Sequence, residues 1–373
     1  MAPNDYLLYY KRATAYYSMN RHPQALEDFD RVLNLTSNSF NQAYLMKARI
    51  HAKDGRFPAA RDAIKRYNSK VKDDPAVREV LFGVSEAEMA AKKAIQAQKA
   101  KLWQACVEAS STALHTASHS IELRQQRANC AIAAGDIEGA VGDLTRLMHL
   151  TTPTTAMLMK IFRIAYFLLP YGSSSSTAAM SALKQCLHYD PDSKQCLPAH
   201  RLVKSFDKSF KKLDDALAAE NWSAVISLLS GDAFATKYEE ALGTHLTQAA
   251  LDLPPYVPIR PAKKTSPRRE QILRSLCRAY TNAKQFKSAD EYCSELLAMD
   301  GLENDPDGLI GKGEALLKQE EWEDAVRVFE KAFEASGRSS RDVSVINPSL
   351  FVGLCSLWSH PRFTNGYNGP KSY

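Results

Sequence analysis

Seven cysteines, nine histidines and a few glycine-lysine steps are the residues of this 373-residue chain best equipped for chemistry. Cys186 and Cys196 stand ten residues apart, and Cys277 and Cys293 sixteen. By themselves, thiols in a chain of this length read first as small buried hydrophobes and fix no redox compartment. His115 and His119 are four apart on an expected helix, a spacing that puts two imidazoles on one face. No third metal ligand is placed near them, and a solvated or capping role fits the pair better. Gly311-Lys312-Gly313 looks like a fragment of a phosphate loop but lacks a third glycine and a preceding strand, so it reads as helix packing. The signatures G-x4-G-K-S/T, H-E-x-x-H and G-x-S-x-G are absent. The expectation is a binding protein with no catalytic residue, no metal and no cofactor. Asn34-Leu35-Thr36 and Asn221-Trp222-Ser223 match the N-glycosylation acceptor pattern, which counts only in a secretory compartment.

The elements that carry these residues repeat. From Pro306 to Gly337 the chain reads as two short amphipathic helices, with Leu309, Leu316 and Leu317 on one and Trp322, Ala325, Val326, Phe329 and Phe333 on the other. Gly313, Ala325 and Ala332 sit where the helices must approach closely. Copies run through the chain: Ala13, His22, Ala25 and Phe29; Ala48, Phe57, Ala60 and Ile64; Ala94, Trp103 and Cys106; Ala128, Ile137, Ala140 and Leu144. A degenerate fifth copy spans Ala156 to Leu187 across Pro170. Leu213, Trp222 and Val225, then Cys277, Phe286, Ala289 and Cys293, give the sixth and seventh. The turn residues His22 and Phe57 are 35 apart, Trp103 and Ile137 are 34, and Phe286 and Trp322 are 36. A small residue, a turn residue and then A-x3-F at these offsets resembles the tetratricopeptide (TPR) repeat, whose hairpins need neighbours to bury both faces. The predicted fold is all-α: a TPR superhelical solenoid of about eight helix-turn-helix repeats with a non-TPR C-terminal tail. Its blocks are 4–72, 85–195 and 196–337, with a Pro-rich, basic linker at 251–269 read as a solvated hinge, and an irregular tail at 338–373.

Composition narrows the partners. A formal charge of +6 spread over this length is a mild excess and does not make a nucleic-acid surface. No run of eighteen apolar residues appears, so no membrane insertion is expected. The N-terminus lacks the pattern of a secretory signal.

The order of features resembles the endoplasmic-reticulum TPR and J-domain co-chaperones, including their fungal members. The residues behind this are CLHYDPDSKQC, Cys186 to Cys196, around an Asp-Pro turn; the Cys277 and Cys293 spacing within one repeat; and YYKRATAYYSMNRHPQALEDFDRVLNL near the start. The resemblance implies disulfides Cys186–Cys196 and Cys277–Cys293. A tight turn at Pro191 and the opposed helices of one hairpin are compatible with both. It also implies a lumenal protein that holds unfolded clients, assists a BiP-type heat-shock chaperone and takes part in the unfolded-protein response. The family continues into a J domain with a His-Pro-Asp motif, whereas here His360-Pro361 is followed by Arg362. The expectation is a form without the signal peptide, the first repeat and the J domain.

TPR arrays bind with the first helices of their repeats. By TPR resemblance the client-binding positions are Leu7, Tyr10, Thr14, Tyr17, Leu45 and Arg49. Leu7 and Tyr10 are equally readable as packing against a preceding repeat. The Lys/Asn clamp that grips a terminal carboxylate in some cytosolic TPR proteins is not met, because Tyr10, Thr14 and Met46 occupy its positions. The alternatives are a cytoplasmic TPR scaffold for folded partners, if the chain is complete as written, and a regulator of stress-responsive translation kinases.

Overall fold

The computed structural model describes residues 5–171, 177–230 and 234–335, and every regular element among them is a helix. These residues fall into two compact units. The first runs to Met157 and includes Leu253–Pro258; the second comprises Leu158–Asp252 and the chain from Ile259. The expected block 85–195 is thus divided after Met157. The irregular tail expected at 338–373 lies outside the described residues.

In the first unit four hairpins follow one another. They are α1 (Tyr6–Ser18) with α2 (His22–Leu35), α3 (Asn41–Lys53) with α4 (Phe57–Asn68), α5 (Pro75–Lys99) with α6 (Trp103–Thr116), and α7 (Ile121–Ala134) with α8 (Ile137–Leu150). Local chemistry sets their ends. Asp74 accepts from the Ala76 amide at 2.8 Å with Pro75 at the first helical position, and Asp136 caps α8 through Gly139 N–H at 2.9 Å. Gly135 closes α7 at φ 89°, a left-handed conformation that suits glycine.

A small residue on the first helix and a larger one sixteen positions on hold most hairpins together. Ala13 and Phe29, Ala48 and Ile64, and Ala128 and Leu144 are all buried, while the third hairpin has two small buried residues, Ala94 and Ser110, at this register. The small member lets the backbones approach while the large one fills the space between them. One position away from this pair, Arg12 bonds Asp28 at 2.6 Å, and Arg127 bonds Asp143 at 2.6 Å with Arg124 joining at 3.0 Å. The repeat therefore carries an apolar clasp and, in its first and fourth copies, an ionic one beside it.

The second unit departs from this plan. Its helices are α9 (Thr155–Leu168, whose first turn belongs to the first unit), α10 (Thr177–Tyr189), α11 (Cys196–Ala218), α12 (Trp222–Leu229), α13 (Ala235–His245), α14 (Ala262–Thr265), α15 (Pro267–Asn282), α16 (Phe286–Leu297), α17 (Pro306–Lys318) and α18 (Trp322–Ala335). In α9, the run Leu158, Met159, Ile161, Phe162, Ile164, Ala165, Tyr166 and Phe167 is buried on every side. The fifth copy was expected as a degenerate TPR hairpin; its first helix is instead the apolar centre of this unit. Phe162 and Phe167 meet His245 at 5.5 and 5.4 Å between ring centroids, Phe167 meets Tyr238 at 5.8 Å, and Tyr238 meets Phe206 and Phe210 at 5.5 and 5.9 Å.

The linker at 251–269 also differs from expectation. Arg268 and Arg269, two of its five basic residues, are only 3% and 4% exposed, within the first turn of α15. Arg268 stacks on Tyr166 at 4.1 Å and donates to its carbonyl at 2.9 Å, while Arg269 bonds Glu239 and Glu295. A guanidinium is weakly hydrated and planar, so aromatic faces and carboxylates offset its desolvation. Arg260, Lys263 and Lys264 are exposed, as a solvated linker requires, whereas Arg268 and Arg269 are buried anchors.

The last two hairpins return to the repeat. Gly313 lies against Phe329 so closely that a β-carbon would come within 2.7 Å of the ring. At the same register one repeat earlier stand Cys277 and Cys293. Gly311, the other glycine of the phosphate-loop look-alike, lies over both sulfurs; a β-carbon there would come to 2.4 Å from Cys293 Sγ and 3.0 Å from Cys277 Sγ.

Candidate functional site

The first helices of the first three hairpins surround an open groove of about 480 Å3. Tyr17 of α1, Arg49, Ala52 and Lys53 of α3, and Glu79, Val80, Phe82 and Gly83 of α5 line it, with Thr116 at one side. Phe82 is 72% exposed. Its position explains why: α5 buries Val77, Val84, Ala87, Ala90 and Ala94 along one face, and Phe82 falls about 200° from Val84 around the helix. A large aromatic out of phase with the buried face makes no contribution to the core and is free to meet a ligand.

Tyr17 and Lys53 form one corner of the groove, with the Lys53 ammonium 4.7 Å from the Tyr17 ring centroid. Beneath them Tyr17 stacks on His22 at 6.0 Å, His22 packs on His119 at 4.7 Å, and the His119 amide donates to the Lys53 carbonyl at 2.8 Å. His22 is buried, and its Nδ1 is bonded to Asp54, which Arg56 also holds. Burial pushes the Asp54 carboxyl up, but hydrogen bonds from His22 and Arg56 outweigh it and leave it below the usual carboxylate range. Burial, followed by the charges of His22, Lys53 and Arg146, lowers His119 to about 4. Burial and the neighbouring Arg56 and Lys47 likewise lower His51 to about 4. His51 and His119 are thus uncharged at neutral pH.

The residues expected at the site divide. Tyr17 and Arg49 line the groove. Leu7 is 46% exposed on α1 but is not among the lining residues. Tyr10 packs edge-on against Phe29 and Phe40 at 5.9 and 5.1 Å between centroids, and Thr14 turns its hydroxyl to the Lys11 carbonyl at 2.8 Å. Leu45 corrects the expectation outright. At 3% exposure it belongs to the core cluster with Phe29, Val32 and Ile64, so it has no surface to offer a client. Phe82, Val80 and Glu79 were missed because their stretch interrupts the repeat pattern, and Lys53, at the end of α3, was missed within a regular copy; the out-of-phase aromatic was the available signal.

His115 and His119 do not share a helical face, since α6 ends at Thr116 and His119 lies in the turn beyond. No group of three potential metal ligands occurs among the described residues. Three cysteine pairs come together in disulfide geometry. The α-carbons of Cys186 and Cys196 are 6.3 Å apart, those of Cys277 and Cys293 4.8 Å, and those of Cys106 and Cys130 6.1 Å. The last pair joins α6 to α7 between repeats and was not anticipated. Asn34 is exposed in the last turn of α2, and Asn221 is exposed while its side chain caps α12 through the Ala224 amide at 3.0 Å. No helix among the described residues is long and apolar enough to cross a membrane.

Comparisons with known proteins agree with this architecture. A family model described as tetratricopeptide repeat matches residues 10–76. The tetratricopeptide repeat and J domain-containing co-chaperone DNJ1 of Cryptococcus neoformans var. grubii is 38% identical over 340 residues, covering 90% of this chain and 63% of that protein. Its namesake from Fusarium oxysporum f. sp. lycopersici is 32% identical over 355 residues, covering 94% and 64%. The chain therefore spans less than two thirds of the length of these relatives. The crystal structure of the P58(IPK) TPR domain superposes with a TM-score of 0.59 over 95% of this chain and 88% of that one, at 22% identity, a likeness of fold. Over its TPR region, the chain is a homologue of proteins named tetratricopeptide-repeat and J-domain co-chaperones.

Proposed function

We propose that the groove on the first unit holds extended, unfolded polypeptide segments, and that the chain is the client-holding part of a co-chaperone serving a BiP-type heat-shock chaperone in the endoplasmic-reticulum lumen. The observation that carries the reading is Phe82, an aromatic left 72% exposed where three first helices converge. An extended chain laid along that groove would bury an apolar side chain against Phe82, Val80 and Ala52, while its backbone stays accessible to the polar rim. The relatives' name as co-chaperones supports the role. Three paired cysteine couples suit an oxidising compartment, as do two exposed acceptor asparagines. The kind of client, the chaperone partner and participation in the unfolded-protein response follow from the family and belong to the same proposal.

Light scattering of a chemically denatured client, diluted with a stoichiometric amount of the chain, tests the holding role. Suppression by the parent and its loss in Phe82→Ser are expected; no suppression by the parent would overturn it. Counting alkylatable thiols in protein purified from its native host, before and after reduction, tests the compartment. Six thiols that react only after reduction support the lumen, and six that react before it argue for the cytoplasm.

A further inference from the structure

The groove is unevenly charged. Arg49 and Lys53 stand one helical turn apart on α3 and both line it, and neither is ion-paired among the described residues. Elsewhere in the same unit Arg12, Arg56, Arg61, Arg124 and Arg127 each hold a carboxylate. Asp74 lies near enough to feel Arg49, but its oxygens are engaged by the Tyr67 hydroxyl and the Ala76 amide. Lys53 rests on the face of Tyr17, an arrangement that leaves its charge uncompensated. Glu79 is the carboxylate among the lining residues, and it is exposed. Two cations thus face one anion around an apolar floor of Ala52, Val80 and Phe82.

Such a surface attracts a carboxylate carried next to an apolar group. A terminal carboxylate finds no clamp, because Tyr10, Thr14 and Met46 stand at the clamp positions. A side-chain carboxylate suits the spacing. In an extended segment, residues two apart point the same way about 6.5 Å from each other, so one side chain can lie on the apolar floor carried by α5 while the other reaches the cations carried by α3. We propose that the groove selects extended polypeptide segments in which an aromatic or large aliphatic residue is followed two positions later by Asp or Glu. The apolar side chain lies against Phe82 and the carboxylate reaches Arg49 and Lys53. This selectivity rests on the groove being the polypeptide site.

Fluorescence anisotropy with three labelled peptides tests it. The peptides are identical except that the residue two after a single Phe is Asp, Asn or Lys. The Asp peptide is expected to bind about fivefold more tightly than the Asn peptide, as two exposed ion pairs allow, with Lys weakest. The double variant Arg49→Gln, Lys53→Gln should erase that order, the Asp and Asn peptides then binding alike. Its thermal melt should stay close to the parent's, because the substitutions break no ion pair among the described residues and remove one ring contact, Lys53 on Tyr17. Equal binding of Asp and Asn peptides, or an order that persists in the double variant, overturns the selectivity and leaves the groove standing. If no peptide binds and Phe82→Ser leaves client holding unchanged, the groove reading fails and the selectivity with it.

Discussion

The two units solve the interior of a helical-hairpin array in opposite ways. In the first, the space between the first helices is left open and lined by Tyr17, Arg49, Lys53 and Phe82. In the second, the centre is filled by the chain itself: α9 buries nearly all of its surface, and its Phe162 and Phe167 join Phe206, Phe210 and Tyr238 in one aromatic cluster. The same hairpin can therefore leave an open groove or build a filled core. What decides is whether a neighbouring segment supplies the apolar side chains or leaves them to be supplied by a partner.

The contrast is broken most forcefully at the filled centre. Phe167→Ala should cost the fold about 4 kcal/mol in a denaturant titration, since a fully buried ring is replaced by a cavity. Phe82→Ala, with its ring in solvent, should move the midpoint by less than about 0.5 kcal/mol while reducing client binding. A similar cost at both positions would mean that Phe82 is structural and the groove is no receptor.

Next come the clasps. Asp143 is nearly fully buried between Arg124 and Arg127, and Asp143→Ala should destabilise by about 3 kcal/mol because two guanidinium groups lose their partner. Asp28→Ala removes the matching clasp of the first hairpin, where Arg12 is 40% exposed, and should cost only about 1 kcal/mol. Denaturation midpoints of the two variants decide between a graded and a uniform ionic seam. In the second unit Gly311→Ala should destabilise by about 2 kcal/mol, because its β-carbon meets Cys293 Sγ and Thr281 Oγ1 within 2.7 Å. An unchanged melt would show that α17 shifts freely.

The last contrast is in pH dependence. In the folded first unit His51 and His119 have pKa values of about 4, against 6.5 for an ordinary histidine, with burial the largest cause. Between these values the unfolded chain binds more protons than the folded one, so stability is full above pH 6.5 and declines as pH falls towards 4. The second unit has His245, held at about 4 by burial and Arg163. Melting temperatures from pH 7 to 4.5 should flatten more in the double variant His51→Gln, His119→Gln than in His245→Gln. Identical slopes would place the acid sensitivity elsewhere.

Much of this fold was legible because the repeat is written in residue sizes. Ala13 with Phe29 and Ala128 with Leu144 recur at a spacing that a hairpin of two short helices imposes, and caps such as Asp136 after Gly135 mark its turns. What escaped depended on long-range neighbours. Arg268 looks like linker charge until Tyr166, about a hundred positions earlier, is placed against it. Cys106 and Cys130 sit at small-residue positions of consecutive repeats, where a thiol substitutes for alanine without disturbing the pattern. At the site, Tyr17 and Arg49 followed from their place on first helices, whereas Leu45, on the same helix as Arg49, faces the core. Phe82 lay in a stretch with no repeat signal.

Site-specific photo-crosslinking tests the difference between the open unit and the filled one. A benzophenone amino acid placed at Phe82, and separately at Phe333, an exposed aromatic of the second unit, is irradiated with a denatured, labelled client. The account predicts strong client adducts from position 82 and few from position 333, with unlabelled client suppressing the former. Equal yields at the two positions, or adducts confined to 333, would contradict it.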